Sequence, residues 1–117
     1  MGIMEKRNYP RVEVTHPVVY FPDILPRPKV ASTLDLSVGG TKIETPYLLI
    51  EGERLEISIA IRSKVIKCRG HVVYTQWPVV RDRLKAGVQF EEISKEDSLY
   101  LGEYVSAVIK QTPLFDS

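Results

Sequence analysis

The chain has 117 residues, of which 44% are hydrophobic and 26% are charged, with a formal net charge of +1 at pH 7. This length corresponds to about one domain, so we treat residues 1–117 as a single unit. The small net charge excludes a globally basic nucleic-acid-binding surface, and it leaves only local anion sites. The lone cysteine, the charged N-terminus and the lack of a long apolar run indicate a cytoplasmic protein without membrane insertion.

The first notable element in chain order is EKRNYPR, in which Arg7 and Arg11 are four residues apart. Pro10 disfavours a helix here. We therefore expect an extended segment with both guanidinium groups on one side, up to roughly 13 Å apart. Two such groups can hold separate acceptor groups of one ligand. Exposed arginines near a terminus are more often simply solvated, so the pair alone is a weak indication.

Strand patterns dominate the chain up to about residue 92. The clearest is RLEISIAIR, where every second residue is apolar, as in a half-buried strand. RVEVTHPVVYF, VIKCRGHVVY and KAGVQFEEI repeat the pattern. In the first of them Pro17 indicates an edge or bulged strand, and in the second Tyr74 is expected on the core face together with Cys68. Several short strands with close turns predict a mainly β protein, an antiparallel barrel or sandwich.

The stretch TLDLSVGGTKIE, residues 33–44, combines a strand with a glycine turn. If the two leucines face the core, Asp35 and Ser37 point outward side by side, roughly 7 Å apart. Gly39 and Gly40 follow, and glycines allow a tight turn and a close approach of a ligand to the backbone. The alternative is an exposed hairpin in which the acid and the hydroxyl only stabilise the turn.

The last segment has helical periodicity. Ser94 can cap a helix that runs from Lys95 to about Lys110, with acidic residues in its first turn and an apolar stripe facing the barrel. The apolar part of PYLLI, Tyr47 to Ile50, is expected in the core, and if exposed it is a dimer or effector surface. His16 and His71 have no ligand residues at metal-binding spacing and are interpreted as strand residues.

The two stretches R-N-Y-P-R, Arg7 to Arg11, and D-L-S-V-G-G, Asp35 to Gly40, together resemble the motifs R-x-x-x-R and [D/N]-x-S-x-x-G of the PilZ domain. GHVVYTQ is similar to the central strand of that family, and AGVQFEEISKEDSLYLGEYV to its closing strand and helix. The resemblance covers nearly the whole chain. It implies a mainly β fold, an antiparallel six- to seven-stranded PilZ-like β-barrel with one C-terminal α-helix at residues 94–110.

PilZ domains are bacterial receptors for cyclic di-GMP, a second messenger that carries two guanines. Guanine offers acceptors that suit arginine and donors that suit a carboxylate. The resemblance implies that the arginines hold guanine edges and phosphates, that the acid and the serine bind guanine, and that the glycines maintain the turn. The implied ligand-binding residues, with no cofactor and no metal, are Arg7, Arg11, Asp35, Ser37, Gly39, Gly40 and, as an additional candidate, Lys6.

The resemblance further implies a switch in residues 1–11. This segment is expected to be mobile until the ligand folds it against the barrel, which gives a downstream protein partner a new surface. Lys6 adds positive charge where a second, intercalated ligand molecule is expected, so we expect two ligands per chain. The downstream process, the partner protein and the oligomeric state cannot be read from the sequence.

Three alternatives remain open at this stage. The first is a protein-interaction adaptor of the same fold without nucleotide binding. The second is a small barrel that binds single-stranded nucleic acid, although the basic strand residues around Arg69 come without the interleaved aromatics that such a surface needs. The third is an enzyme domain of the split-barrel type that binds flavin. No nucleophile with an orienting base is present, so catalysis is not predicted.

Overall fold

The apolar alternation produces six antiparallel strands followed by one helix. The computed structural model describes residues 9–77 and 82–111. The strands close into a barrel in the order β1-β2-β3-β6-β5-β4. This confirms the predicted barrel and helix, with six strands. The elements are β1 (Pro17–Pro22), β2 (Lys29–Leu36), β3 (Gly40–Thr45), β4 (Arg54–Ile61), β5 (Lys64–Gln76), β6 (Leu84–Ile93) and α1 (Lys95–Gln111).

The core fills the barrel with the alternate residues of each strand. In β4 the leucine and the three isoleucines of RLEISIAI are all 1% exposed or less, whereas the residues between them face outward. Burial of one such leucine or isoleucine stabilises the fold by about 1.5–3 kcal/mol. Cys68 on β5 is also buried, as predicted, and this burial raises the pKa of its thiol to about 12. The thiol is therefore protonated and unreactive at neutral pH.

The segment before β1 differs from the prediction. RVEVTHPVVYF was expected to form one strand with Pro17 at an edge or bulge, but Pro17 is the first residue of β1. A closed barrel has no free edge, and the first position of a strand tolerates proline. Val12 instead pairs with Leu36 through two backbone hydrogen bonds of 3.0 and 2.9 Å. The chain therefore contacts the far end of β2 before it enters the barrel.

Register shifts interrupt the strand pairing at three places. One lies between Thr33 and Asp35 in the pairing of β2 with β3. The other two lie between Arg69 and Gly70 and between Val72 and Tyr74 in the pairing of β5 with β6. A bulge inserts one extra residue into a strand and breaks the two-residue alternation. As a result Tyr74, expected in the core, is 39% exposed.

Helix α1 begins after its predicted cap. Ser94 Oγ accepts the backbone N–H of Asp97 at 3.0 Å, an interaction that stabilises a helix by about 1 kcal/mol. Tyr104 lies on the buried face, as the periodicity predicted, and its hydroxyl lies 2.6 Å from His16 Nε2. Tyr100 donates to the carbonyl of Ile61 at 3.1 Å. The helix is thus attached to the barrel at the β4–β5 turn.

In the part of the chain that the structure describes, no helix has the length and apolar character needed to cross a bilayer.

Candidate functional site

Arg11 and Asp35 come from different parts of the chain and form an ion pair. Arg11 Nη1 lies 2.8 Å from Asp35 Oδ1. The same carboxylate oxygen accepts the backbone N–H of Lys42 at 3.0 Å. The Asp35 side chain is 16% exposed, whereas that of Arg11 is 50% exposed. The sheet therefore holds the carboxylate in place, and the arginine is the more accessible partner.

The backbone explains why these two side chains meet. The pairing of Val12 with Leu36 aligns the N-terminal segment with the end of β2. Arg11 and Asp35 each precede one member of that pair. Thr41 Oγ1 donates to the Asp35 carbonyl at 2.6 Å, so the backbone at the acid is held from β3 as well. The site is built on the barrel and on one fixed point of the segment before it.

Ser37 does not point outward beside Asp35 as expected. Its side chain is buried, at 1% exposure. Its Oγ accepts the backbone N–H groups of Gly39 and Gly40, each at 3.2 Å, and donates to the Gly40 carbonyl at 3.3 Å. The physical reason is that β2 ends at Leu36, so Ser37 belongs to the turn and no longer follows the alternation of the strand. Ser37 stabilises the turn, which was the alternative reading of this stretch.

The two glycines of the turn are required to different degrees. A Cβ at Gly40 would overlap the backbone carbonyl of Val88 on β6, which cannot move without breaking the sheet. A Cβ at Gly39 would lie 2.8 Å from the ring of Tyr9, the end of a side chain that can rotate away. Gly40 is therefore needed for the approach of β3 to β6, and Gly39 for the approach of Tyr9 to the turn.

A cleft of about 590 Å³ opens beside the ion pair. Its volume lies within the usual range for small-molecule sites, about 300–1,000 Å³. It combines a carboxylate, a guanidinium group, a lysine and three aromatic rings, so it can contact both the charged and the planar parts of a ligand. Residues that line it include Tyr9, Arg11, Asp35, Lys42, Tyr74 and Gln89.

Sequence reasoning missed Tyr74 as a site residue. Its ring lies against Gly87 of β6 so closely that a Cβ there would overlap it. Burial of the ring, and to a smaller extent the charge of Asp35, raises the pKa of Tyr74, while Arg11 opposes this shift. The phenol is therefore neutral at pH 7. The tyrosine in GHVVYTQ and the glycine in KAGVQF were visible, but only the bulge brings the ring to the surface.

The remaining predicted residues lie elsewhere. Arg7 and Lys6 are outside the described residues. His71 Nδ1 lies 2.8 Å from Glu91 Oε2, and neither residue lines the cleft. His16 contacts the helix, as described above. In residues 9–77 and 82–111 no three side chains of the metal-binding types gather in one place.

Comparison with known proteins identifies the family. The model of the PilZ domain matches residues 5–107, a range that contains both motif stretches and the whole barrel. The chain belongs to the PilZ domain family. No curated protein sequence matches this PilZ domain.

Solved PilZ structures share the fold. MotI/DgrA, an inhibitor of motility from Bacillus subtilis, matches with a TM-score of 0.81 and 18% identity over 91% of this chain and 52% of that chain. The PilZ domain of YcgR from Escherichia coli, solved with c-di-GMP, matches with a TM-score of 0.71 and 15% identity over 91% of this chain and 93% of that chain. The complex of MrkH from K. pneumonia with c-di-GMP matches with a TM-score of 0.76 and 14% identity over 90% of this chain and 52% of that chain. The chain thus spans about half the length of MotI and MrkH.

Proposed function

We propose that this protein is a receptor for cyclic di-GMP that binds the nucleotide in the cleft beside Arg11 and Asp35 and acts in the cytoplasm without catalysis. The observation that carries the proposal is the ion pair itself. An acid held by the sheet and an exposed arginine stand at 2.8 Å at the edge of a cleft. Membership of the PilZ family and the c-di-GMP in the YcgR and MrkH structures support it.

The pair matches the two edges of guanine. The N1 and N2 donors of guanine suit the Asp35 carboxylate, and the O6 and N7 acceptors suit a guanidinium group. Asp35 Oδ1 is already used by Lys42 N–H and Arg11. A guanine that takes this carboxylate therefore competes with Arg11, which is free to turn towards the base or a phosphate. Ligand binding then exchanges one charge-assisted contact for another and moves the N-terminal segment.

Tyr74 adds a stacking surface to the proposed site. Its ring lies against Gly87, and the missing side chain at that position allows this close approach to the strand. Stacking of one base on an aromatic side chain contributes about 1–3 kcal/mol. Ser37, Gly39 and Gly40 act on the ligand through the turn, since the serine hydroxyl is fully used by the two glycines.

In this proposal Arg7, which precedes the described residues, completes the site. Residues 1–11 carry Lys6, Arg7 and Arg11, and a dianionic ligand would draw this segment to the barrel. The new surface formed there is what a downstream protein would recognise. With Lys6 beside Arg7, the charge suits a second ligand molecule, and we propose two per chain.

Isothermal titration calorimetry with cyclic di-GMP tests the proposal. The Arg7→Ala, Arg11→Ala double variant should lose at least a hundredfold in affinity, because each charge-assisted hydrogen bond contributes about 1.5–3 kcal/mol. The matched control is Arg54→Ala, which removes an exposed arginine that pairs with Glu91 on another face of the barrel. GTP serves as the control ligand.

The outcomes separate the candidate functions. Saturable binding that the double variant loses, that Arg54→Ala keeps and that GTP does not reproduce supports the receptor. Two ligands per chain in the parent protein and one in a Lys6→Ala variant would support the role of Lys6. Absence of heat, with an unchanged melting temperature in excess ligand, would refute nucleotide binding and favour the adaptor of the same fold.

A further inference from the structure

The barrel end formed by the β1–β2 and β3–β4 connections exposes a group of large apolar side chains. The PYLLI stretch was expected in the core, but only Leu49 is buried there, at 2% exposure. Its neighbours face outward, and the β1–β2 connection adds two more such side chains. We call these five residues the apolar end: Ile24 (85% exposed), Leu25 (54%), Tyr47 (39%), Leu48 (68%) and Ile50 (63%).

The strand order explains why the two connections share this end. Strands β3 and β4 are not neighbours in the barrel, so residues 46–53 cross its open end, and Leu49 closes it from inside. The connection begins near β2, where Lys29 Nζ lies 4.6 Å from the ring centre of Tyr47. It ends beside β5, where the Gly52 N–H donates to the Val72 carbonyl at 2.8 Å. The β1–β2 connection joins it through the Asp23 N–H, which donates to the Arg54 carbonyl at 3.0 Å.

The charges of the two connections and of the first residue of β2 are divided by side, apart from Asp23, which forms an ion pair with Arg69. Arg27 and Lys29 lie on the β2 side, and neither has an ion-pair partner among the described residues. Glu51 and Glu53 lie on the side of β4 and β5. Glu53 accepts the Ile50 N–H at 3.1 Å, whereas the side chain of Glu51 is exposed. An apolar centre thus has a basic margin on one side and an acidic margin on the other.

We infer that a second copy of this chain covers the apolar end in a two-fold symmetric dimer. A two-fold axis through the apolar centre brings the basic margin of one copy against the acidic margin of the other, twice. Scattered single apolar residues are normal on a surface, but a cluster of this kind marks an interaction site. A standard interface buries about 800 Å² per partner, and five large side chains with their charged margins supply an area of that order.

Charge also argues against a lipid surface as the occupant. Glu51 and Glu53 stand next to Ile50 and would face the anionic headgroups that a peripheral protein needs. The dimer is independent of the proposed nucleotide site. That site lies at the opposite end of β2, where Asp35 and Leu36 are, so both clefts of the dimer stay open.

The first test is the oligomeric state by sedimentation equilibrium over a concentration series. The parent chain should show a monomer–dimer equilibrium, and Leu48→Asp should raise its dissociation constant at least tenfold. The matched control is Leu99→Asp on α1, where the leucine is 62% exposed but away from the apolar end. This control should leave the equilibrium unchanged. A parent chain that stays monomeric at its highest soluble concentration would overturn the inference.

The second test uses the charge division. In a homodimer, Arg27→Glu places a glutamate against the acidic margin of the other copy, and Glu51→Lys places a lysine against its basic margin, so each variant alone should dimerise at least tenfold more weakly than the parent. An equimolar mixture of the two should form a heterodimer and recover the parent affinity. A mixture that does not recover the parent affinity would contradict a second copy as the occupant. So would a Leu48→Asp variant that loses binding to anionic vesicles but dimerises like the parent.

Discussion

Asp35 and Arg11 are joined by a 2.8 Å ion pair although 24 residues separate them in the chain. In the proposed receptor, a nucleotide that uses the acid would have to displace or share the arginine, and ligand binding would thereby be linked to the position of the N-terminal segment. The Lys42 N–H bond keeps the acid in place during that exchange.

The first prediction concerns the charge of Asp35. Asp35→Asn keeps an oxygen that can accept the Lys42 N–H, so the barrel should fold with little change in melting temperature. Affinity for cyclic di-GMP should fall about 10- to 100-fold, because a charged hydrogen bond is replaced by a neutral one. Titration calorimetry and thermal unfolding of the same sample check both parts. Unchanged affinity would place the ligand away from this acid.

The second prediction separates the two glycines of the turn. Gly40→Ala should destabilise the protein by about 3 kcal/mol, because its Cβ meets the Val88 carbonyl. Gly39→Ala should cost less than about 1 kcal/mol, because only the Tyr9 ring has to rotate. Urea unfolding of both variants measures the difference. Equal losses would mean that the turn, and not the approach of β3 to β6, limits stability.

The third prediction tests the stacking surface. Tyr74→Phe keeps the ring and should bind cyclic di-GMP within about threefold of the parent, whereas Tyr74→Ala should lose about 1–3 kcal/mol of binding free energy. Both variants remove the hydroxyl, so the comparison isolates the ring. Calorimetry measures the affinities. If the two variants lose affinity equally, the hydroxyl and not the ring contacts the ligand.

The fourth prediction concerns pH and the contact between His16 and Tyr104. Burial, and next the charge of Arg62, lower the pKa of His16 below its ordinary value of 6.5. The unfolded chain therefore binds a proton more readily than the folded one, and stability falls as pH drops below about 6.5. The melting temperature should decrease from pH 7.5 to pH 5.5, and less so in His16→Gln. An identical decrease in the variant would assign the effect to other groups.

The sequence predicts the regular parts of this structure well. The alternation in RLEISIAI and the cap at Ser94 give β4 and α1 with their correct faces, because strand and helix periods are local properties. Two positions were wrong: Ser37 lies in the turn that begins after β2 ends at Leu36, and Tyr74 follows a β-bulge. A bulge depends on how two distant strands pair, so no local pattern reveals it. Whether Leu48 is inside or outside likewise depends on where residues 46–53 cross the barrel.

The candidate site was predicted in its residue types more than in its arrangement. The motif resemblance named Arg11 and Asp35, and the structure brings these two together. The motif resemblance could not place Ser37 inside the turn, because a motif names residues and does not describe their geometry. Tyr74 has no place in either motif stretch, so only the cleft reveals it.

The two backbone hydrogen bonds between Val12 and Leu36 act as an anchor point for everything that precedes them. Arg7 is five residues before Val12, and an extended chain spans at most about 3.4 Å per residue. Its Cα therefore stays within roughly 17 Å of Val12 in any conformation. A tether this short keeps the guanidinium group at an effective concentration in the millimolar range beside the cleft. In the proposed receptor, capture of a bound nucleotide by Arg7 would therefore be an intramolecular step, and its rate would not depend on the concentration of the protein.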